Sequence, residues 1–408
     1  MKIIDKYFYN ITLIISISII LKLFLIDLYG DTTLQYEWKT LFENLKNHKT
    51  LSYRSFDDEL IPSVYMPPLY VYYLYCVDFI TPKNFNLVKS ILISQIIISS
   101  ISIYIFYKIN RFFFLKKSSL IATYVFIFFP IHIYSNLQIS SITLQIFLNI
   151  IFLYLILNIL ENRSGAFKIF ILGIVSGLTM LLRGEFIIIY FFSIFYLFFF
   201  KKLNFKKLLL ILIITLVSIT PYLTRNFLVF EKITITKSVG YNLWKGNNID
   251  SGVEGSESAA AFSFNNINKK INEIPKNKYY DFNYDRLFFE EGLLFIKNDP
   301  ILFIKRYINK SIAFLFFNLK SKYNDYYNLL NILPLVILSL LFVSSILLCF
   351  QKKSISYKYL ILNILLTISI FSLFFILPRY KLIILPIQII VVNFLINKYF
   401  KFDNNKGV

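Results

Sequence analysis

Three arginines, a lysine and two carboxylates stand at the ends of apolar runs, where a charge needs a partner. Leu181-Leu182-Arg183-Gly184-Glu185 closes one run, and Pro221-Tyr222-Leu223-Thr224-Arg225-Asn226 closes another. Pro378-Arg379-Tyr380-Lys381-Leu382, with Pro386, opens the last, and Asp31 follows the first in Tyr29-Gly30-Asp31-Thr32-Thr33-Leu34-Gln35-Tyr36. Guanidinium groups present planar, bidentate donors to phosphate and stay charged at any relevant pH. A charge-assisted hydrogen bond is worth about 1.5–3 kcal/mol, so two would hold a phosphate. Plainer roles stand beside these. Each cation could be an interfacial anchor, Arg183 and Glu185 could pair only to stabilise a hairpin, and Asp31 could cap a helix from Thr32 to Asn47. Asp27 is the neighbouring acid.

The elements that must position these groups are membrane spans. A chain of 408 residues with 57% hydrophobic and 19% aromatic residues and a mean hydropathy of +0.63 exceeds what a water-soluble core needs. Runs such as 138–160, 330–350 and 359–377 reach the ~20 residues that cross a ~30 Å hydrocarbon layer, and their backbones must close hydrogen bonds internally, as helices. The chain is therefore expected to be an all-α polytopic membrane protein, with crossings near 7–26, 87–107, 118–134, 138–160, 166–182, 186–200, 208–223, 330–350, 359–377 and 382–396. The first run follows Lys2 and Lys6, precedes no small-residue cleavage site, and is read as an uncleaved span.

The net charge of +20 is distributed as a membrane protein requires rather than as a nucleic-acid patch. Lys108, Arg111, Lys116 and Lys117, then Lys201, Lys202, Lys206 and Lys207, then Lys352, Lys353 and Lys358, then Lys398, Lys401 and Lys406 fall between or after apolar runs. They mark cytoplasmic loops and put both termini inside. Of the 23 acidic residues, only Asp5, Glu161 and Asp403 join them. The aromatic stretch 66–79 is short, begins with Pro67-Pro68 and contains Asp78, which suits an interfacial or re-entrant segment. The stretch 300–317 carries Lys305, Arg306 and Lys310 and suits an amphipathic helix on the outer surface. If both crossed, the count would rise from about ten spans to about twelve. The expected organisation is a transmembrane region over 1–223 with a first external loop at 27–85, a large external loop with an amphipathic helix over 224–329, and C-terminal transmembrane helices over 330–408. Residues 250–280 read as a mobile loop.

The hairpin turn at Arg183-Gly184-Glu185 joins runs of 17 and 15 residues that reach only about 22–26 Å, so it should sit recessed below the outer surface. In Gly240-Tyr241-Asn242-Leu243-Trp244-Lys245-Gly246-Asn247-Asn248, Tyr241 and Trp244 could stack on a sugar ring or anchor the loop at the interface. His132 reads as a buried polar cap. Two cysteines, Cys76 and Cys349, give no disulfide framework or zinc spacing.

The order of these fragments resembles that of GT-C integral-membrane glycosyltransferases, in particular the family 39 relatives that use dolichyl- or polyprenyl-phosphate sugars to modify proteins or lipid A. The likeness rests on 221–226, 240–248, Asp31, 181–185 and 378–382, and on Pro67-Pro68-Leu69-Tyr70, similar to a Pro-Pro element after the first external loop. By this resemblance Asp31 is the catalytic base, Arg225, Arg379, Arg183 and Lys381 bind the donor phosphate, and Glu185, Tyr36 and Tyr380 support them. The implied partners are a polyprenyl-phosphate-linked sugar donor and a lipid, glycan or protein acceptor, with no nucleic acid. The site would lie on the external or periplasmic face of the plasma (inner) membrane. By the same resemblance no nucleotide is needed, and a divalent metal is admitted, for which these residues supply no ligand set. Asp31-Thr32 departs from the Asp-Glu pair of some relatives, and Ser140-Ser141 stands where others carry an acid.

No phosphate loop, dinucleotide Gly-x-Gly-x-x-Gly or Gly-x-Ser-x-Gly nucleophile turn is present. The rival class is a transporter or flippase of lipid-linked sugars, which would need charge along a path through the membrane. A third is a non-catalytic relative.

Overall fold

The structure, a computed structural model, describes residues 10–163, 165–254, 267–347 and 354–400, the side chain of Tyr36 excepted. The chain is an all-α polytopic membrane protein. Its helices are α1 (Ile11–Tyr29), α2 (Tyr36–His48), α3 (Leu69–Ile80), α4 (Leu87–Phe113), α5 (Lys116–Ile127), α6 (Pro130–Asn136), α7 (Ile142–Leu160) and α8 (Ala166–Leu182). They continue as α9 (Phe186–Phe199), α10 (Phe205–Phe230), α11 (Val239–Gly246), α12 (Tyr280–Asn298), α13 (Pro300–Leu315), α14 (Leu329–Ile346), α15 (Ile355–Leu373) and α16 (Leu385–Phe400). A 3₁₀ turn, Pro378–Ile383, precedes α16.

Among the described residues six helices, α1, α4, α7, α10, α14 and α15, are long and apolar enough to cross a membrane. Their outward side chains are greasy: Phe24, Val217 and Leu340 are exposed, as lipid-facing residues should be. The stretch expected as one span over 118–134 is instead α5 and α6, bent by 56°. Pro130 is the cause. It occupies the first turn of α6 and holds Phe129 in extended backbone, since proline lacks an N–H and keeps the residue before it out of the helical region. The expected spans at 166–182, 186–200 and 382–396 are the shorter apolar helices α8, α9 and α16. The Pro-Pro stretch gives α3, only 12 residues long.

Close approach of helices is set by small residues. In α8, Gly173 and Gly177 face α10, where an added Cβ would lie 2.7 Å from Ile214 Cβ and 2.6 Å from Ser218 Cβ. This is the small-xxx-small spacing that lets transmembrane backbones meet. Between α2 and α3 lies an antiparallel hairpin, β1 (Ser52–Phe56) and β2 (Glu59–Pro62). Asp57 and Asp58 at its tip have φ of 48° and 65°, the left-handed pair that a two-residue hairpin turn requires.

Side-chain bonds gather the basic loops at one end of the bundle. Lys168 Nζ donates to Asn158 Oδ1 at 2.7 Å, Ser356 Oγ to Glu161 Oε1 at 2.6 Å, Ser118 Oγ to Asn393 Oδ1 at 3.0 Å, and Tyr196 Oη to the Ile355 carbonyl at 2.8 Å. The opposite end carries Asp31, the α8–α9 turn and the long loops.

Candidate active site

Asp31 lies just past α1 against the turn between α6 and α7. Its N–H donates to the Leu137 carbonyl at 3.1 Å, and its Oδ2 accepts from the Ile139 N–H at 2.6 Å. Gln138 Nε2 donates to the Tyr29 carbonyl at 2.8 Å, tying the same two segments together. Oδ1 has no hydrogen-bond partner among the described residues. Burial raises the Asp31 carboxyl above the usual carboxylate value, while the Ile139 N–H and the Arg379 charge oppose the rise. A carboxylate fixed through one oxygen, open at the other and raised toward neutrality has the attributes of a general base. The neighbouring acid Asp27 is exposed and pairs with Lys89 at 2.8 Å.

Arg379 opens the 3₁₀ turn and acts on Asp31 from the far end of the chain. The Tyr326 hydroxyl hydrogen-bonds to Arg379 and lies within electrostatic reach of Asp31. Tyr326 meets Tyr134 of α6 edge to face at 4.9 Å, and Tyr70 of α3 is also coupled to both Asp31 and Arg379. Arg183, at the α8–α9 turn, donates from Nε to Gln145 Oε1 at 3.2 Å and places Nη1 3.9 Å from Glu185 Oε1. Its guanidinium covers the Tyr380 ring at 5.1 Å, and Glu37 of α2 adds a second negative field. Arg379 and Tyr380, adjacent in the 3₁₀ turn, therefore link Asp31 to Arg183. Tyr36 opens α2, but its side chain lies outside the described residues.

The other cations are not brought to this group. Helix α10 runs through Pro221 to Phe230, so Arg225 lies within it and donates to the Ser63 and Leu51 carbonyls and to Asn226 Oδ1. Those bonds fasten the segment between α2 and α3. Lys381 is 3% exposed; its Nζ donates to the Phe316 carbonyl at 2.9 Å and to Tyr327 Oη at 2.6 Å, and Tyr327 donates in turn to Glu254 at 2.7 Å. Trp244 is 2% exposed and sits edge to face on Phe288 at 4.7 Å. Tyr241 is half-buried and meets Trp244 at 6.2 Å. Both belong to an aromatic cluster with Tyr280 and Tyr284.

That cluster encloses Arg54 of the hairpin, whose guanidinium lies 4.2 Å from the Tyr284 ring, 4.8 Å from Tyr280 and 3.7 Å from Asp281. Asp281 also accepts from Ser63 Oγ at 2.6 Å and the Val64 N–H at 3.0 Å. The 52–64 segment and the start of α12 are thus clamped together.

Sequence reasoning passed over Lys22, in the first span. It is 1% exposed, donates to Ser99 Oγ at 2.8 Å and lies near His132. His132 is itself buried and stacked on Phe126 at 4.3 Å. An ionisable residue within a span was the available signal. Asp325 and Tyr326 were also missed, because they lie in a polar loop with no apolar contrast to draw attention, and Tyr134 because it ends an apolar run as one more aromatic residue. Among the described residues no three His, Cys, Asp or Glu side chains group as metal ligands.

Residues 66–224 match the family described as dolichyl-phosphate-mannose-protein mannosyltransferase. The match covers less than half of the chain; it includes Arg183 and Glu185 and ends before Arg225. It supports a glycosyltransferase with a GT-C fold. No curated protein and no solved structure matches the chain.

Proposed function

We propose, from the premise of a GT-C glycosyltransferase using a polyprenyl-phosphate-linked sugar, that this chain transfers that sugar to an acceptor hydroxyl at the external face of the membrane, with Asp31 as base. The observation that carries the reading is the Asp31 carboxylate, held through one oxygen by the Ile139 N–H at 2.6 Å and set beside Arg379 with its other oxygen open. In the reaction, the acceptor oxygen attacks the anomeric carbon as Asp31 takes its proton. The bond from that carbon to the phosphate oxygen breaks, and the electron pair leaves with the polyprenyl phosphate. Direct displacement inverts the anomeric centre.

Arg379 neutralises the departing phosphate, with Arg183 as second cation. Arg183 is oriented by Gln145, Glu185 and Tyr380, which lowers the reorganisation needed at the moment of charge transfer. Arg225 and Lys381 act instead by fastening loops, since backbone carbonyls and neighbouring side chains already take their donors. Tyr241, at the rim of the aromatic cluster, is the better placed of the two expected sugar-stacking residues.

The test is to incubate membranes containing the chain with a panel of radiolabelled polyprenyl-phosphate sugars and follow label, free carrier and product anomer. Transfer from one donor, with release of unglycosylated carrier and an inverted linkage, is expected. Label that moves across the membrane while still on its carrier would point to a flippase.

A further inference from the structure

The region around Arg379 holds a second carboxylate to which the reaction as described gives no task. Asp325 lies in the loop between α13 and α14 and is exposed. Its side chain accepts from the hydroxyl of Tyr134, and Tyr134 is also coupled to Asp31 and Tyr326. Tyr326, next in sequence, bonds Arg379. Arg379 and Asp325 therefore each hydrogen-bond one of two tyrosines whose rings meet at 4.9 Å and 86°, within electrostatic reach of Asp31.

The part of the loop that carries Asp325 is fixed to the start of α14. Asn331 Nδ2 donates to the Asp325 carbonyl at 3.0 Å, and the Asn331 N–H to Asn328 Oδ1 at 3.0 Å. Tyr327 is held between Lys381 and Glu254. A carboxylate on so tethered a loop, with one hydroxyl donor already aimed at it, is built to accept more hydroxyl donors.

We infer that Asp325, oriented by Tyr134, binds ring hydroxyls of the transferred sugar and so sets which sugar the enzyme accepts. The inference rests on the proposed transferase reading. If Arg379 holds the phosphate and Asp31 the acceptor hydroxyl, the sugar ring must lie between them, because its anomeric carbon bonds first to one and then to the other. Tyr134 and Tyr326, which interact with Asp31, Arg379 and Asp325, would bring the Asp325 carboxylate to the border of that space. A carboxylate has four lone-pair sites and no donor, so it suits neighbouring hydroxyls and repels a phosphate.

The experiment uses the full chain in membranes, the polyprenyl-phosphate hexose that it transfers, and the 2-, 3-, 4- and 6-deoxy counterparts of that donor. Asp325→Asn should raise KM for the parent donor about tenfold to a hundredfold, the loss of one charge-assisted bond, with kcat changed much less. For one deoxy donor the native chain and the variant should become indistinguishable, because the hydroxyl they differ over is gone. Tyr134→Phe should shift KM in the same direction by less. Equal kinetics for Asp325→Asn and the native chain on every donor would overturn the inference and leave the transferase reading standing. So would a fall in kcat at constant KM with the same ranking of deoxy donors. Absence of transfer by the native chain from any donor would instead remove the reading on which it rests.

Discussion

Asp31 carries two opposed influences, and their balance can be measured. Burial raises its carboxyl above the ordinary value, whereas Arg379 and the Ile139 N–H pull it down. A base works only when deprotonated, so transfer should fall as pH drops through the Asp31 titration. Removing the Arg379 charge takes away an influence that favours the carboxylate and lowers this pKa. In Arg379→Gln the acidic limb of the kcat/KM profile should therefore move to higher pH, on top of a lower plateau from the lost phosphate contact. An unmoved limb would mean that Asp31 is not the group titrating. At this scale the sequence was informative wherever a charge interrupted grease: Asp31, Arg183 and Arg379 announce themselves at the ends of apolar runs. Asp325 did not, because an acid in a polar loop has no hydropathy contrast. Its placement depends on α6 and the loop before α14, which are remote in sequence, coming together.

Among the elements, helix period and length made the spans visible, and local backbone chemistry decided the rest. Pro130 divides one expected span, while Pro221 is carried within α10. The hairpin at 52–62 went unnoticed because its strands are short and polar; Asp57-Asp58 at the tip was the local signal for it. Gly173 and Gly177 are legible only as a spacing, and the structure shows that they admit α10. A larger residue at 177 would meet Ser218 Cβ and the Thr215 carbonyl at 2.6 and 3.1 Å, with little room to yield. Gly177→Leu should destabilise the α8–α10 contact by about 1–3 kcal/mol, the usual range for overpacking. A lower midpoint in thermal denaturation of the detergent-solubilised protein would report it. An unchanged midpoint would show that the helices can part without loss.

For the whole molecule, the described basic loops gather at one end of the bundle and the Asp31 group at the other. If the basic end is cytoplasmic, the hairpin and α12 face outward. In a background lacking Cys76 and Cys349, Glu59→Cys should react with a membrane-impermeant maleimide in intact cells. Lys206→Cys should react only after permeabilisation, and the reverse pattern would invert the topology. The central claim joins this architecture to one carboxylate. It is tested most directly by the rate of sugar transfer from a polyprenyl-phosphate donor in membranes, native chain against Asp31→Asn at matched expression. The account predicts transfer by the native chain and a loss of about 10²–10⁴-fold in the variant, the usual contribution of a general base. Transfer that survives in Asp31→Asn and is lost in Asp27→Asn or Glu185→Gln would contradict it.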